Sequence, residues 1–141
     1  MNPEQTIEII SASSLIEKVS ALRDRGYRLV QICATTLPGQ FEITYSFDLA
    51  TRLNNLRIQV PADDPRIPSI GGIFGCAFLY ENEMHDLFGV KVENLAVDLK
   101  GNLYNTSVKF AFGSTKTPAA PAKAPAPAPK PAAPASAPAK S

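Results

Sequence analysis

The chain has 141 residues and a net charge of +1, and its C-terminal fifth differs in composition from the rest. Residues 114–141 hold eight Pro, eleven Ala and four Lys, without an acidic or aromatic residue. Such a stretch buries too little apolar surface to offset its ordering entropy. We therefore predict one folded domain, residues 1–113, and a disordered Ala/Pro/Lys-rich tail, residues 114–141. The domain has ten basic and thirteen acidic residues, a balance that argues against nucleic acid as a partner.

No segment of the sequence predicts a membrane span or a metal centre held by cysteine thiolates. The longest apolar run, residues 70–80, is interrupted by three Gly and is much shorter than the roughly 20 residues that a spanning helix needs. The N-terminus has no signal-peptide pattern, so we expect a soluble, cytoplasmic chain whose membrane contact comes mainly through partners. Cys33 and Cys76 form no C-x-x-C motif, and we expect both to be reduced and buried.

The first elements are a strand and a well-delimited helix. Residues 6–10 predict a short strand. Apolar residues then recur at helical spacing, after hydroxyls on Ser11, Ser13 and Ser14 that can cap the helix N-terminus. Gly26 is a typical residue just past a helix C-terminus.

Three strands are predicted next. Residues 27–36 are rich in branched side chains, and a Pro-Gly turn separates them from residues 41–49. Residues 41–49 alternate strictly between apolar and polar, which indicates a strand covered on one side only. Residues 56–60 repeat this alternation, and together they favour an antiparallel sheet with one solvated or partner-facing surface.

A second helix is predicted from a cap at Ser69 to Phe88, ending at Gly89, with three early glycines that permit close packing. Residues 108–112 predict a last, weak strand. The order β-α-β-β-β-α indicates an α+β domain, in which two main helices lie on one face of a mostly antiparallel sheet.

The densest polar group, residues 81–86, is the candidate site for chemistry. On a helix, Glu81 and His85 are i, i+4 neighbours that can face one metal ion or substrate. Two ligands do not make a site, and the chain has no second His. Three interpretations remain open: metal or acid–base chemistry, a solvated polar helix face, and a polar surface that docks on a partner. The glycine-rich residues 71–75 lack the Lys-Ser/Thr of a phosphate-binding loop.

Residues 80–90 resemble the signature of the complex I 30-kDa subunit (NuoC-like) family. That signature is an aromatic residue, Glu-Arg-Glu, two variable residues, Asp, two apolar residues, Gly and an aliphatic residue. The matching positions are Tyr80, Glu81, Glu83, Asp86, Leu87, Phe88, Gly89 and Val90.

Two departures point to one branch of that family. Asn82 stands where the respiratory members usually carry Arg. The Gly-His and Arg pair that commonly follow the motif are replaced here by residues 93–95 and 98–100. The chain is therefore most similar to the small subunit (EchD-like) of energy-converting, Ech-type membrane-bound [NiFe] hydrogenases.

The resemblance implies a structural subunit without cofactors of its own, in the peripheral arm of an oxidoreductase complex on the cytoplasmic face of the membrane. The implied partners are the large subunit with its [NiFe] centre, the small subunit with its [4Fe–4S] clusters, and other subunits of the complex. Ech-type complexes couple ferredoxin-linked H₂ metabolism to ion translocation.

Docking on the large subunit is expected to use seven residues of the motif, with Glu81, Glu83 and Asp86 pairing with basic groups of the partner. The full set is Tyr80, Glu81, Glu83, Asp86, Leu87, Phe88 and Gly89. The alternatives are the equivalent subunit of a complex I-type NADH/quinone oxidoreductase, a stand-alone α+β enzyme that uses Glu81 and His85, and an adaptor whose working part is the tail.

Overall fold

The computed structural model describes residues 4–113, and the predicted tail, residues 114–141, lies outside the described residues. Within residues 4–113 the chain forms an α+β domain, as predicted, with a short extra strand before the second helix. The elements are β1 Glu4–Ile9, α1 Leu15–Asp24, β2 Arg28–Leu37, β3 Gln40–Leu49, β4 Arg52–Pro61, β5 Arg66–Pro68, α2 Ala77–Phe88 and β6 Lys91–Glu93.

The main sheet is mostly antiparallel, which confirms the prediction. Its strand order is β1-β4-β3-β2, with β3 antiparallel to both neighbours and β1 parallel to β4 at one edge. The short strands β5 and β6 form a separate parallel pair, in which Ile67 lies opposite Val92. This pair joins the segment before α2 to the segment after it.

One face of the main sheet carries the core. The apolar side chains of β3 are buried there, as its alternation predicts, and both helices contribute to the same hydrophobic cluster. The residues that β3, α1 and α2 bury in it are Phe41, Ile43, Tyr45, Phe47, Leu15, Val19, Leu22, Ala77 and Met84.

Both cysteines are exposed, so the expectation that they are buried was wrong. Cys33 follows the buried Ile32 on β2 and lies opposite Thr44, which places it on the face of the sheet without helices. Because side chains alternate along a strand, a branched-residue-rich strand exposes every second residue, including a cysteine. Cys76 immediately precedes α2.

The ends of α1 agree with the sequence in part. Gly26 has φ +85°, and the N–H of Tyr27 reaches the carbonyl of Leu22 at 3.0 Å, as expected at a helix C-terminus. The predicted serine cap is not formed, because Ser11 and Ser14 bond to each other and to local backbone, and a 3₁₀ turn, Ala12–Ser14, precedes the helix.

The predicted start of the second helix and the predicted last strand were wrong. The second helix begins at Ala77 rather than after Ser69, since residues 70–76 form turns. Residues 108–112 form turns rather than a strand, because the N–H of Phe112 bonds to the carbonyl of Leu87 at 2.8 Å instead of to a sheet. Neither helix of the described range, residues 4–113, is long and apolar enough to cross a membrane.

Candidate functional site

Helix α2, which carries the family-like motif, buries three polar side chains. Glu81 is 0% exposed, Asn82 is 1% exposed and Asp86 is 7% exposed. They contact two irregular segments: residues 69–76, here called the glycine loop, and residues 94–113, here called the strap. Buried polar groups destabilise a fold unless they are hydrogen-bonded, so their partners define what the motif does.

Glu81 holds the glycine loop. Its Oε1 accepts the backbone N–H of Ile70 at 2.7 Å, and its Oε2 accepts the hydroxyl of Ser69, also at 2.7 Å. The Ser69 hydroxyl in turn accepts the N–H of Gly71 at 3.0 Å, which explains why Ser69 does not cap the helix. A Cβ on Gly71 would lie 3.1 Å from the Ser69 Oγ, so this glycine permits the close approach predicted for the loop.

The surroundings of Glu81 are electrostatically unusual for a carboxylate. Within residues 4–113, no Lys or Arg lies at ion-pair distance from it. Burial raises the pKa of Glu81, and the hydrogen bonds from Ser69 and Ile70 offset part of that rise. Burial, together with the nearby charge of Glu81, also raises the pKa of Tyr45, whose buried hydroxyl has no hydrogen-bond partner in the described residues. Tyr45 therefore stays a neutral phenol.

Asn82 anchors the first part of the strap. Its Oδ1 accepts the N–H of Leu99 at 2.9 Å, and its Nδ2 donates to the carbonyls of Val97 and Phe78 at 2.8 and 2.7 Å. An amide suits this position because it both donates and accepts, whereas a guanidinium only donates. Asn82 thus both donates to and accepts from the backbone of the strap.

Asp86 anchors the middle of the strap. Its Oδ2 accepts the N–H groups of Leu103 and Tyr104 at 2.9 and 3.2 Å, and its Oδ1 lies 2.9 Å from the Nδ1 of His85. Carboxylates that accept several backbone N–H groups make strong, charge-assisted hydrogen bonds. Asp86 therefore fixes the path of the strap beside the C-terminal half of α2.

The aromatic end of the strap packs against the end of the motif. Gly89 has φ +77°, and a Cβ there would lie 3.2 Å from the ring of Phe110. The rings of Phe88 and Phe112 lie 5.7 Å apart, and the Thr36 hydroxyl donates to the carbonyl of Phe112. Gly89 is thus needed both for its backbone conformation and for the contact with Phe110.

The predicted docking residues fall into two groups. Glu81 and Asp86 have their donors inside the chain, whereas Glu83 and Leu87 are half-buried on α2. Tyr80 donates its hydroxyl to the carbonyl of Val30 at 3.1 Å, which ties α2 to the edge strand β2. Docking through these residues stays a prediction, and the two buried acids need no basic partner to be satisfied.

Glu81 and His85 do not form the acid–base or metal pair that the sequence left open. Glu81 is buried against the glycine loop, and the Nδ1 of half-exposed His85 contacts Asp86. Among residues 4–113, no three His, Cys, Asp or Glu side chains are placed to hold a metal ion. Sequence reasoning missed the anchoring roles of Ser69 and Asn82. Ser69 bonds to the carboxylate of Glu81 and the N–H of Gly71, and Asn82 bonds to backbone N–H and carbonyl groups, and no residue pattern marks these partners.

The chain is thus a small α+β domain in which the polar residues of α2 bind the glycine loop and the strap. The family model of the respiratory-chain NADH dehydrogenase 30 Kd subunit matches residues 9–108, a range that includes the whole site. The chain belongs to this family.

Similarity to individual proteins agrees with that assignment. The chain is 34% identical over 85 residues to the C subunit of NADH-quinone oxidoreductase from Phenylobacterium zucineum (strain HLK1), covering 56% of this chain and 41% of the relative. It is 38% identical over 71 residues to NADH dehydrogenase [ubiquinone] iron-sulfur protein 3 of Arabidopsis thaliana, covering 47% and 37%. The matches thus span less than half the length of these two curated relatives.

Two solved structures share the fold. One is from the membrane-bound sulfane sulfur reductase, an archaeal respiratory membrane complex, with a TM-score of 0.63 and 21% identity over 69% of this chain and 61% of that chain. The other is a trypsin-resistant fragment of Nqo5, with a TM-score of 0.58 and 22% identity over 66% and 82%.

Proposed function

We propose that this chain is a cofactor-free structural subunit in the peripheral arm of an energy-converting, membrane-bound [NiFe] hydrogenase. In this role it docks on the large subunit at the cytoplasmic face of the membrane and beside the iron–sulfur small subunit. The complex would couple ferredoxin-linked H₂ metabolism to ion translocation, and the [NiFe] and [4Fe–4S] centres would belong to the partner subunits.

The observation that supports a structural role is that the polar side chains of the motif form hydrogen bonds within the chain. Glu81, Asn82 and Asp86, the most buried polar groups of α2, all bind backbone or side-chain groups of the glycine loop and the strap. Both oxygens of Glu81 are used in these internal hydrogen bonds. Family membership then favours a subunit that supports a multisubunit oxidoreductase.

The hydrogenase branch is supported by how the strap is held. In the respiratory members that the motif resembles, an Arg follows the first Glu and an Arg pair follows the motif. Here Asn82 takes the first position and bonds to Val97 and Leu99 of the strap, and residues 98–100 take the place of the Arg pair. The first of these Arg positions is therefore occupied by an amide that bonds within the chain.

The second candidate is the equivalent subunit of a complex I-type NADH/quinone oxidoreductase. The curated relatives favour it, since the bacterial and the plant relative are subunits of NADH-quinone oxidoreductase and NADH dehydrogenase. Both candidates share the peripheral-arm role and differ in the large subunit that the chain contacts.

Purification of the tagged full-length chain from its native membranes in mild detergent separates the two. The proposal expects a nickel-containing large subunit and H₂ evolution from reduced ferredoxin in the purified fraction. Quinone-dependent NADH oxidation without nickel would support the second candidate instead. A partnerless, soluble chain would contradict both.

A further inference from the structure

Two lysines of the strap differ from the other basic side chains of residues 4–113. Of the ten basic residues in that range, six form ion pairs with carboxylates, and Arg23 and Arg25 lie over aromatic rings. Lys100 and Lys109 have neither kind of partner among the described residues. Both side chains are exposed, so their charges are available to a binding partner.

Both lysines line the same cleft beside the end of α2. The cleft has a volume of about 160 Å³ and includes the chain's single histidine. We call it the basic cleft. Six of the side chains that line it are His85, Lys100, Tyr104, Thr106, Lys109 and Phe110. Asp86 also borders the cleft, but one of its oxygens accepts two backbone N–H groups and the other contacts His85. Both oxygens of Asp86 are thus occupied by these contacts, and Asp86 forms no ion pair with Lys100 or Lys109.

The backbone holds the basic cleft in an uncommon conformation. Lys100 and Phe110 are two of the four non-glycine residues with positive φ among residues 4–113, at +54° and +53°. The N–H of Lys100 is fixed by the Oδ1 of Asp98 at 2.7 Å. Residues kept in such conformations are often found at binding sites, where the surrounding structure maintains them.

Exposed apolar side chains line and flank the basic cleft. Tyr104 is 44% exposed, Val108 is 63% exposed, Phe110 is 42% exposed and Phe112 is 57% exposed. Four large apolar side chains exposed within nine residues are typical of a protein interaction surface, in which aromatic residues are enriched. The strap therefore combines unpaired cations with apolar contact area.

We propose that the basic cleft binds an aspartate or glutamate side chain of a partner subunit, and that the flanking apolar residues contact the neighbours of that acid. This inference rests on the proposed function and names the partner chemistry of its docking surface. A protein carboxylate fits better than nucleic acid, because two lysines on a domain of net charge −3 do not provide a broad positive field. The cation is thus on this chain and the acid on the partner, the reverse of the pairing predicted for Glu81, Glu83 and Asp86.

Zero-length carbodiimide cross-linking of the purified membrane complex tests the contact, since the reagent joins a lysine amine only to a touching carboxylate. We expect peptides in which Lys100 or Lys109 is linked to an Asp or Glu of another subunit. Lys18, which pairs with Glu8 at 2.6 Å, should link within the chain and serves as the internal control.

A competition between tagged variants and the untagged wild-type chain in the same cells gives the effect on affinity. Exchange of both cleft lysines, Lys100→Glu with Lys109→Glu, should lower the tagged-to-untagged ratio in the complex by about thirtyfold or more, as expected when one partner of a desolvated pair is reversed. The control Lys18→Glu with Arg52→Glu makes the same charge change at exposed sites and should leave the ratio near that of the tagged wild type.

The outcomes separate this inference from the function on which it rests. If the complex forms but both cleft lysines stay unlinked and the charge-reversed chain is incorporated like wild type, the basic cleft is not a docking surface and the proposed function stands. If the chain purifies without other subunits, both are overturned.

Discussion

The carboxylate of Glu81 accepts the backbone N–H of Ile70 at 2.7 Å, across eleven residues of chain. Together with the bond from Ser69, this contact closes the glycine loop against helix α2 and removes the carboxylate from solvent. Glu81, which the sequence alone suggests to be a charged surface residue, is therefore part of the interior.

Replacement of Glu81 should show its structural role. Glu81→Ala leaves the Ile70 N–H without its acceptor in a buried site, so we expect the free energy of unfolding to fall by about 2–4 kcal/mol. Glu81→Gln keeps an oxygen for that N–H and should cost less than about 1.5 kcal/mol. Urea unfolding of both variants measures the difference. Equal stability of the wild type and Glu81→Ala would contradict the role assigned to the carboxylate.

The same carboxylate should make stability depend on pH. Because burial raises the folded-state pKa of Glu81 above its ordinary value of 4.5, the folded chain holds this proton more tightly than the unfolded chain does. The contribution of Glu81 is then greatest below pH 4.5 and falls as the pH rises through the raised folded-state pKa. As the pH rises, the free energy of unfolding of the wild type should therefore decrease relative to that of Glu81→Gln.

Comparison with Glu81→Gln isolates this effect. The pKa of Asp48 is lowered by its hydrogen bond with Arg28, and that of Asp64 by its bonds with Lys91 and Arg66, so both act in the opposite direction. They are present in both proteins and cancel in the difference. Parallel stability–pH curves for wild type and Glu81→Gln would show that burial does not shift the pKa of Glu81.

Asp86 should control the order of the strap rather than the stability of the whole domain. In Asp86→Ala the N–H groups of Leu103 and Tyr104 lose their acceptor, and their amide hydrogen exchange should accelerate by about tenfold or more. Amides in the centre of β3 should exchange at wild-type rates. Asp86→Asn, which keeps one oxygen, is the matched control and should show a smaller change.

Asn82 should resist replacement by the family's usual residue. Asn82→Arg removes the acceptor of the Leu99 N–H and forces a larger, charged side chain into a position that is 1% exposed. We expect a loss of about 2–4 kcal/mol in the free energy of unfolding. If Asn82→Arg is as stable as wild type in urea unfolding, the strap can rearrange and Asn82 does not determine its path.

The regular elements were predictable because their patterns are local. The alternation in residues 41–49 marks β3 with its buried face, and Gly26 marks the end of α1. The start of α2 was not predictable, since the Ser69 hydroxyl is used by Glu81, twelve residues away. The identity of the family was visible in residues 80–90, whereas the basic cleft depends on a fold that brings Lys100 and Lys109 beside His85.

Quantitative mass spectrometry of the complex purified through the tagged full-length chain tests the central claim most directly. A chain that supports the peripheral arm should be recovered with a large subunit of the same oxidoreductase at a ratio near one to one, and should stay bound when mild detergent replaces the membrane. Recovery of the chain alone, or with subunits at ratios far below one, would contradict a structural role in such a complex.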